Sequence, residues 1–178
     1  RPHLMRLLGS GSGGLLVPGL GINASISPIA AQPGKIALVA QSASVTTAII
    51  DRAASTGVGF STIVHLGASL DIDLADVIDW LADDPDTERI LVQFDTITVG
   101  RKFMSAARAA ARNKPVVAIR GGRLVAGPDG KAPFSASDVN DAALRRAGWV
   151  SIPTLGDTLE ALEAMARLRP MAGDRLAI

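Results

Sequence analysis

The sequence predicts an α/β fold in which a parallel five-stranded sheet carries helices on both faces. Three observations carry that reading. Short apolar runs alternate with helix-patterned stretches five times from Lys35 onward. The runs are continuously apolar, as strands covered on both faces should be. The intervening stretches place apolar side chains three and four residues apart, as amphipathic helices do.

The elements follow in order. Residues 1–33 contain "GSGSGG" and four prolines with few charges, which predicts an extended arm or inter-domain connector. Within it "LVPGLGINASISP" is too apolar for a free linker and is expected to pack on something. "KIALVAQ" (35–41) predicts the first strand, and Ser44 to Thr56 the first helix. "FSTIVHL" (60–66) predicts the second strand, and Leu74 to Ala82 a helix with Leu74, Val77, Ile78 and Leu81 on one stripe. "RILVQFD" (89–95) is followed by a helix from Arg101 to Arg112. "PVVAIR" (115–120) is followed by a long Gly- and Pro-rich stretch and a helix from Ser137 to Ala147. "WVSI" (149–152) precedes a last helix, Leu155 to Leu168, with Leu159, Leu162 and Ala166 on its apolar side. Right-handed crossovers leave few ways to connect five such pairs. The flavodoxin-like strand order 2-1-3-4-5 is the one expected, with a ligand crevice where the chain reverses direction between strands 1 and 3.

Composition narrows the function classes. The chain has 178 residues, 48% of them hydrophobic, enough for one packed core. No apolar run approaches the ~20 residues that span a bilayer, so no membrane partner is expected. There is no cysteine, which excludes disulfides, thiolate zinc sites and thiol nucleophiles and makes a cytoplasmic location the expectation. The formal net charge is +1 and aromatics make up 3%, so neither electrostatics nor base stacking predicts nucleic acid. The opening "RPHLMRLLGSGSGG" shows no leader-like apolar stretch and no initiating Met, so the sequence reads as a piece of a longer chain.

The topology places the ends of strands 1, 3 and 4 at the crevice. Strand 1 ends in Gln41, Ser42, Ala43 and Ser44. Ser42 or Ser44 would cap the first helix, and the same amide groups with the helix dipole would suit a phosphate or carboxylate. Asp95, ending strand 3, would orient a cation or a His, bind a ligand hydroxyl, cap the next helix, or pair with Arg101 or Lys102. Strand 4 runs into Gly121, Gly122 and a loop reaching Ser135 and Ser137. The acidic run from Asp71 to Glu88 holds eight carboxylates. Asp73, Asp76 and Asp79 follow the outer side of the Leu74 stripe, so a solvated face is expected rather than a metal site. Asp83 and Asp84 lie near that helix's C-terminus, where the dipole disfavours them. The basic run from Arg101 to Lys114 likewise reads as a solvated face. Of the two histidines, His3 lies in the arm and His65 at the end of strand 2. His65 is either a strand-end packing residue or a general base and phosphoryl acceptor. With no second His near it, no metal site is expected.

At "GKIALVAQSASV", "LGASLDIDLADVIDWLADDPDTERILVQFDTITVGRKFMSAARAAARNKPVVAIRGGR" and "RPMAGDRLAI" the chain resembles the nucleoside-diphosphate-forming acyl-CoA synthetases, including the succinyl-CoA synthetase α-subunit. The resemblance covers nearly the whole chain. It implies that residues 1–33 connect from a preceding CoA-binding domain, that 34–170 form a flavodoxin-like domain, and that 171–178 begin the next one. It also implies that the parent protein uses CoA or acetyl-CoA and a nucleotide, with CoA-binding and ATP-grasp-like domains as partners and homo-oligomers conceivable. This fragment alone is expected to bind no cofactor.

The same resemblance assigns roles. The family's S-Q-S-G, whose helix stabilises a phosphohistidine, matches Ala40, Gln41, Ser42 and Ala43. Its His-orienting Glu matches Asp95, one methylene shorter. The departure is in the loop: "GGRLVAGPDGKAPFSASDVNDAA" (121–143) has no His where the family carries the one that moves phosphoryl from acyl-phosphate to nucleotide. A serine hydroxyl does not replace imidazole without an activating base. The family's G-P-N near the arm is altered to Gly9, Ser10 and Gly11. "NASISP", "QSASV", "LGASLDID" and "RPMAGDRL" are similar to the synthetase-like body of large bacterial protein lysine acetyltransferases fused to a GNAT domain, which lacks that His. That resemblance implies a regulatory or scaffolding domain without a catalytic residue of its own. The rival expectations are a working synthetase with His65 as nucleophile, and a module that only holds neighbouring domains together.

Overall fold

The computed structural model describes residues 5–97, 99–120 and 136–167. Gly121, Gly122, Ser135, His3 and residues 171–178 lie outside them. The chain forms β1 (Gly14–Val17), β2 (Ile22–Ser25), β3 (Pro33–Ala40), α1 (Ala43–Thr56), β4 (Phe60–His65), α2 (Leu74–Asp83), β5 (Arg89–Phe94), α3 (Gly100–Asn113), β6 (Val116–Arg120), α4 (Ala136–Ala147), β7 (Val150–Ile152) and α5 (Leu155–Arg167). The sheet order is β2-β1-β4-β3-β5-β6-β7. Its parallel part, β4-β3-β5-β6-β7, is the flavodoxin-like order 2-1-3-4-5.

The arm corrects the expected five-stranded sheet to seven strands, mixed in direction. β1 pairs antiparallel with both β2 and β4. A four-residue run, "GLLV", is short enough to pass for linker, yet it covers the edge of β4, whose backbone groups would otherwise lack partners. Leu16 is buried by this pairing. Glycine is needed at position 14, where φ is +89° and an added Cβ would collide with the Ala24 carbonyl across the hairpin.

Two cores lie on the two faces of the sheet. α2, α3 and α4 pack over Ala37, Val39, Val64, Ile90 and Val92. α1 and α5 pack over Ile36, Leu38, Ile63, Leu91 and Val117. Strand side chains alternate between the faces, so only continuously apolar runs satisfy both. The Leu74, Val77, Ile78 and Leu81 stripe is buried. In α5 the buried side chains are Thr158, Leu162 and Met165, while Ala166 is exposed, which rotates the expected apolar side. Trp149 closes the α3–α4 side, edge-on to Phe103 at 5.4 Å and donating from Nε1 to the Ala107 carbonyl at 2.9 Å.

Parts of two expected solvated faces are bonded, while Arg101, Arg108 and Arg112 are exposed as expected. The Lys114 ammonium, at the end of α3, donates to the Leu81 and Asp84 carbonyls, and Asn113 donates to Ala82 O at 3.3 Å. They satisfy orphan carbonyls at the C-terminus of α2 and supply positive charge where Asp83 and Asp84 are unfavourable. Burial there pushes the Lys114 amine below its ordinary range, against the opposing charges of Asp84 and Asp83.

At the other end of α2, Asp73 and Asp76 form a reciprocal capping box. Lys102 from α3 binds both, at 2.9 and 2.8 Å, and Arg6 from the arm reaches Asp71 and Asp76, each at 3.3 Å. The expectation that Asp73 and Asp76 are a solvated face is thus overturned. Helical periodicity cannot see partners supplied from 29 and 70 residues away. Asp79 is exposed, as expected.

Burial works against the charge of Asp76, but the hydrogen bonds from Lys102 and the Asp73 amide, with the charges of Lys102 and Arg6, hold its carboxyl below the ordinary range. Lys102 is likewise disfavoured by burial yet raised by the two aspartates. The Asp76 contribution is therefore complete above the ordinary aspartate value of about 4 and is lost as pH falls through its lower folded value. Asp76→Asn keeps the cap acceptor and removes only the charge. Roughly 0.5–1 kcal/mol should be lost at pH 7 after solvent screening, with the difference from the parent shrinking as pH falls below the ordinary aspartate value of about 4. Urea titrations across that range measure it.

Candidate functional site

The crevice is built by two amide side chains. Gln93, in β5, is fully buried. Its Oε1 accepts from the Gln41 and Ser42 backbone amides at 3.1 and 2.8 Å, and its Nε2 donates to Asp95 Oδ1 at 2.9 Å. Gln41 returns the link. Its Oε1 accepts from the Asp95 and Thr96 amides at 2.7 and 3.1 Å, and its Nε2 donates to the Thr96 carbonyl at 3.0 Å. The loops after β3 and β5 are thereby joined across the switch point.

Ser42 is the N-cap of α1, extended at φ −98° and ψ 122°, accepting from the Val45 amide at 3.4 Å. Its hydroxyl also lies 3.0 Å from that of Ser44. Ala43 begins the helix. Gln41, Ser42, Ala43, Ser44 and Asp95 are thus brought together, through Gln93. Asp95 is exposed, and Gln93 holds one of its oxygens. Asp95 does not cap α3, whose N-cap is Val99, and Lys102 is committed to Asp73 and Asp76. The backbone of Ser137 lies in the first turn of α4. Its side chain is outside the described residues, with Gly121, Gly122 and Ser135.

His65 is buried, and both ring nitrogens are engaged. Nδ1 accepts from the Gly13 amide, and Nε2 lies 3.0 Å from the Gln41 carbonyl, to which it donates. The Ser12 hydroxyl donates to the His65 carbonyl and accepts from the Gly14 amide at 2.9 Å. His65 therefore staples the arm to the crevice. Gly67, at φ +65°, lies so close to the arm that an added Cβ would collide with Ser10 O. Among the described residues no group of three or more His, Asp and Glu is arranged to hold a metal ion, and no helix is long and apolar enough to cross a membrane.

Sequence reasoning missed Gln93 and the Gly13–His65 contact. The first had a visible signal, a polar residue inside the apolar run "RILVQF". The second had none, because a Gly-rich segment reads as flexible until something is packed against it.

The described architecture agrees with what the chain is similar to. A model of the succinyl-CoA ligase-like flavodoxin domain matches residues 33–165. An ADP-forming acetate–CoA ligase I subunit alpha from Pyrococcus furiosus is 30% identical over 183 aligned positions, covering 100% of this chain and 40% of the relative. An ADP-forming acetate–CoA ligase I from Archaeoglobus fulgidus is 30% identical, covering 88% of this chain and 24% of the relative. The apo dinucleotide-forming acetyl-coenzyme A synthetase 1 of Ca. Korarchaeum cryptofilum superposes with a TM-score of 0.84 at 25% identity, over 96% of this chain and 38% of that one. The chain spans less than half the length of each of these proteins. It belongs to the family of succinyl-CoA ligase-like flavodoxin domains.

Proposed function

We propose that this domain serves an acyl-CoA ligase-like protein as a regulatory or scaffolding module rather than as a phosphoryl carrier. The observation that carries the reading is the state of its histidines. The chain has two, and none lies in the loop from Gly121 to Ala143. His65 borders the crevice, but Gly13 occupies one ring nitrogen and the other donates to Gln41. Phosphoryl transfer to imidazole needs a nitrogen lone pair aimed at phosphorus, and His65 has none to offer. In this reading Gln41 to Ser44 keep the form of an anion crevice while Asp95 orients no histidine.

The parent would use CoA or acetyl-CoA with a nucleotide, as the names of its relatives suggest. Residues 1–33 would lead from a CoA-binding domain, and 171–178 towards the next domain, with an ATP-grasp-like partner. The likeness of "NASISP", "QSASV" and "LGASLDID" to GNAT-fused proteins supports a lysine acetyltransferase as that parent. The test is incubation of the chain with radiolabelled acetyl-phosphate, or with ATP and the partner domains. No acid-labile phosphate is expected on it. Stoichiometric label would overturn the proposal and favour a working ligase.

A further inference from the structure

A groove of about 590 Å³ opens at the end of the sheet opposite the crevice. Pro33 to Lys35 and Ser61 to Thr62, at the starts of β3 and β4, form its floor. Trp80 of α2 and Asp84, which follows its last turn, form one wall, and Leu20, in the turn between β1 and β2, forms the other. The groove exists because the arm extends the sheet past β4, beyond the reach of α2. Trp80 is 54% exposed and Leu20 73%, although both are large and apolar. An exposed Trp beside a second exposed apolar side chain marks a contact surface more often than a solvated one.

The groove's charge selects a partner. Asp84 is fixed, accepting from Thr87 Oγ1 at 2.6 Å and from the Asp86 amide at 3.3 Å, and the Thr87 hydroxyl is bonded to Ser61 at 2.7 Å. Asp86 is 83% exposed and meets Lys35 only loosely, at 3.6 Å. Asp83, one helical turn from Trp80, and Glu88 are also exposed at this end, where Glu88 accepts from Arg89 at 3.2 Å and the Lys114 ammonium donates to the Asp84 carbonyl. A carboxylate held ready beside an indole face suits a guanidinium, which can stack on the ring and bond the acid together.

We propose that this groove docks a segment of a partner protein bearing an arginine next to an apolar side chain. The apolar side chain covers Leu20 and the guanidinium lies between Trp80 and the Asp84–Asp86 pair. The chain spans 40% and 24% of two relatives it matches, each more than twice its length.

The test uses the 178-residue chain and a fluorescein-labelled synthetic peptide of alternating Arg and Leu, read by anisotropy. Saturable binding is expected, weakened about fivefold or more by Trp80→Ala and by Asp86→Lys. Both positions are exposed, and unchanged thermal melts would show that the variants fold. Glu160→Lys, on the exposed side of α5, should bind as the parent does. The proposal is overturned if the peptide does not bind, if a twin with Glu for Arg binds equally, or if Trp80→Ala leaves affinity unchanged. It is overturned too if Glu160→Lys weakens binding as much as Asp86→Lys, which would mean diffuse charge attraction. Self-association that Trp80→Ala abolishes would assign the face to a second copy instead.

Discussion

Replacing Gln93 by Leu is expected to destabilise the domain by about 2 kcal/mol, a drop of roughly 4–8 °C in melting temperature. Leu preserves most of the volume, so little of this is a packing effect. The cost is the loss of an acceptor for the Gln41 and Ser42 amides and of a donor to Asp95. The Gln41 amide keeps a second acceptor, the Gln93 carbonyl at 3.1 Å, so the orphaned donor is that of Ser42, at the cap of α1. Gln93→Glu gives the contrast. A carboxylate would still accept from both amides, but its second oxygen would face Asp95 at a position now occupied by an N–H donor 2.9 Å away. Two like charges at that distance, one fully buried, should make Glu worse than Leu at neutral pH. Acidification should narrow the gap, because a protonated Glu recovers the donor. Thermal melts of both variants between pH 4 and pH 7 read this directly. A Glu variant as stable as the parent at pH 7 would show that the amide is not oriented as described.

The parallel sheet was legible because its signals are local. Continuous apolar runs, a Ser cap on the first helix and helical spacing placed all five strand–helix pairs to within about two residues, the expected scatter for such boundaries. What escaped depends on distant partners. β1 is four residues long, and its partner β4 lies some fifty positions further on. The acidic start of α2 looked solvated because Lys102 and Arg6 come from other elements. Ala166 looked apolar, but a methyl group gains little from burial, and Met165 takes the inner position in α5. The crevice was legible as a place, through the switch-point rule. Its internal wiring was not, because Gln41 and Gln93 are identified as a pair only once β3 and β5 are neighbours.

His65→Ala is expected to cost about 3 kcal/mol, combining a cavity with the loss of acceptor and donor for Gly13 and Gln41. Part of the effect should be local. Amides of residues 12–14 should exchange hydrogen faster than the sheet centre, because the ring is what fastens the arm to β4. Gly13→Ala attacks the same contact from the other side, since its Cβ would lie 2.5 Å from His65 Nδ1. The two substitutions therefore should not add. In the double variant the new methyl enters space the ring has vacated, and the combined cost should fall short of the sum by about 1 kcal/mol or more. Urea denaturation of the four proteins completes the cycle. A phosphoryl acceptor would behave otherwise: its nitrogen would be exposed, its removal would leave the arm in place, and Gly13→Ala would act independently of it. Additive costs with an unchanged exchange pattern would thus remove the staple, and with it the main argument that His65 cannot carry phosphate.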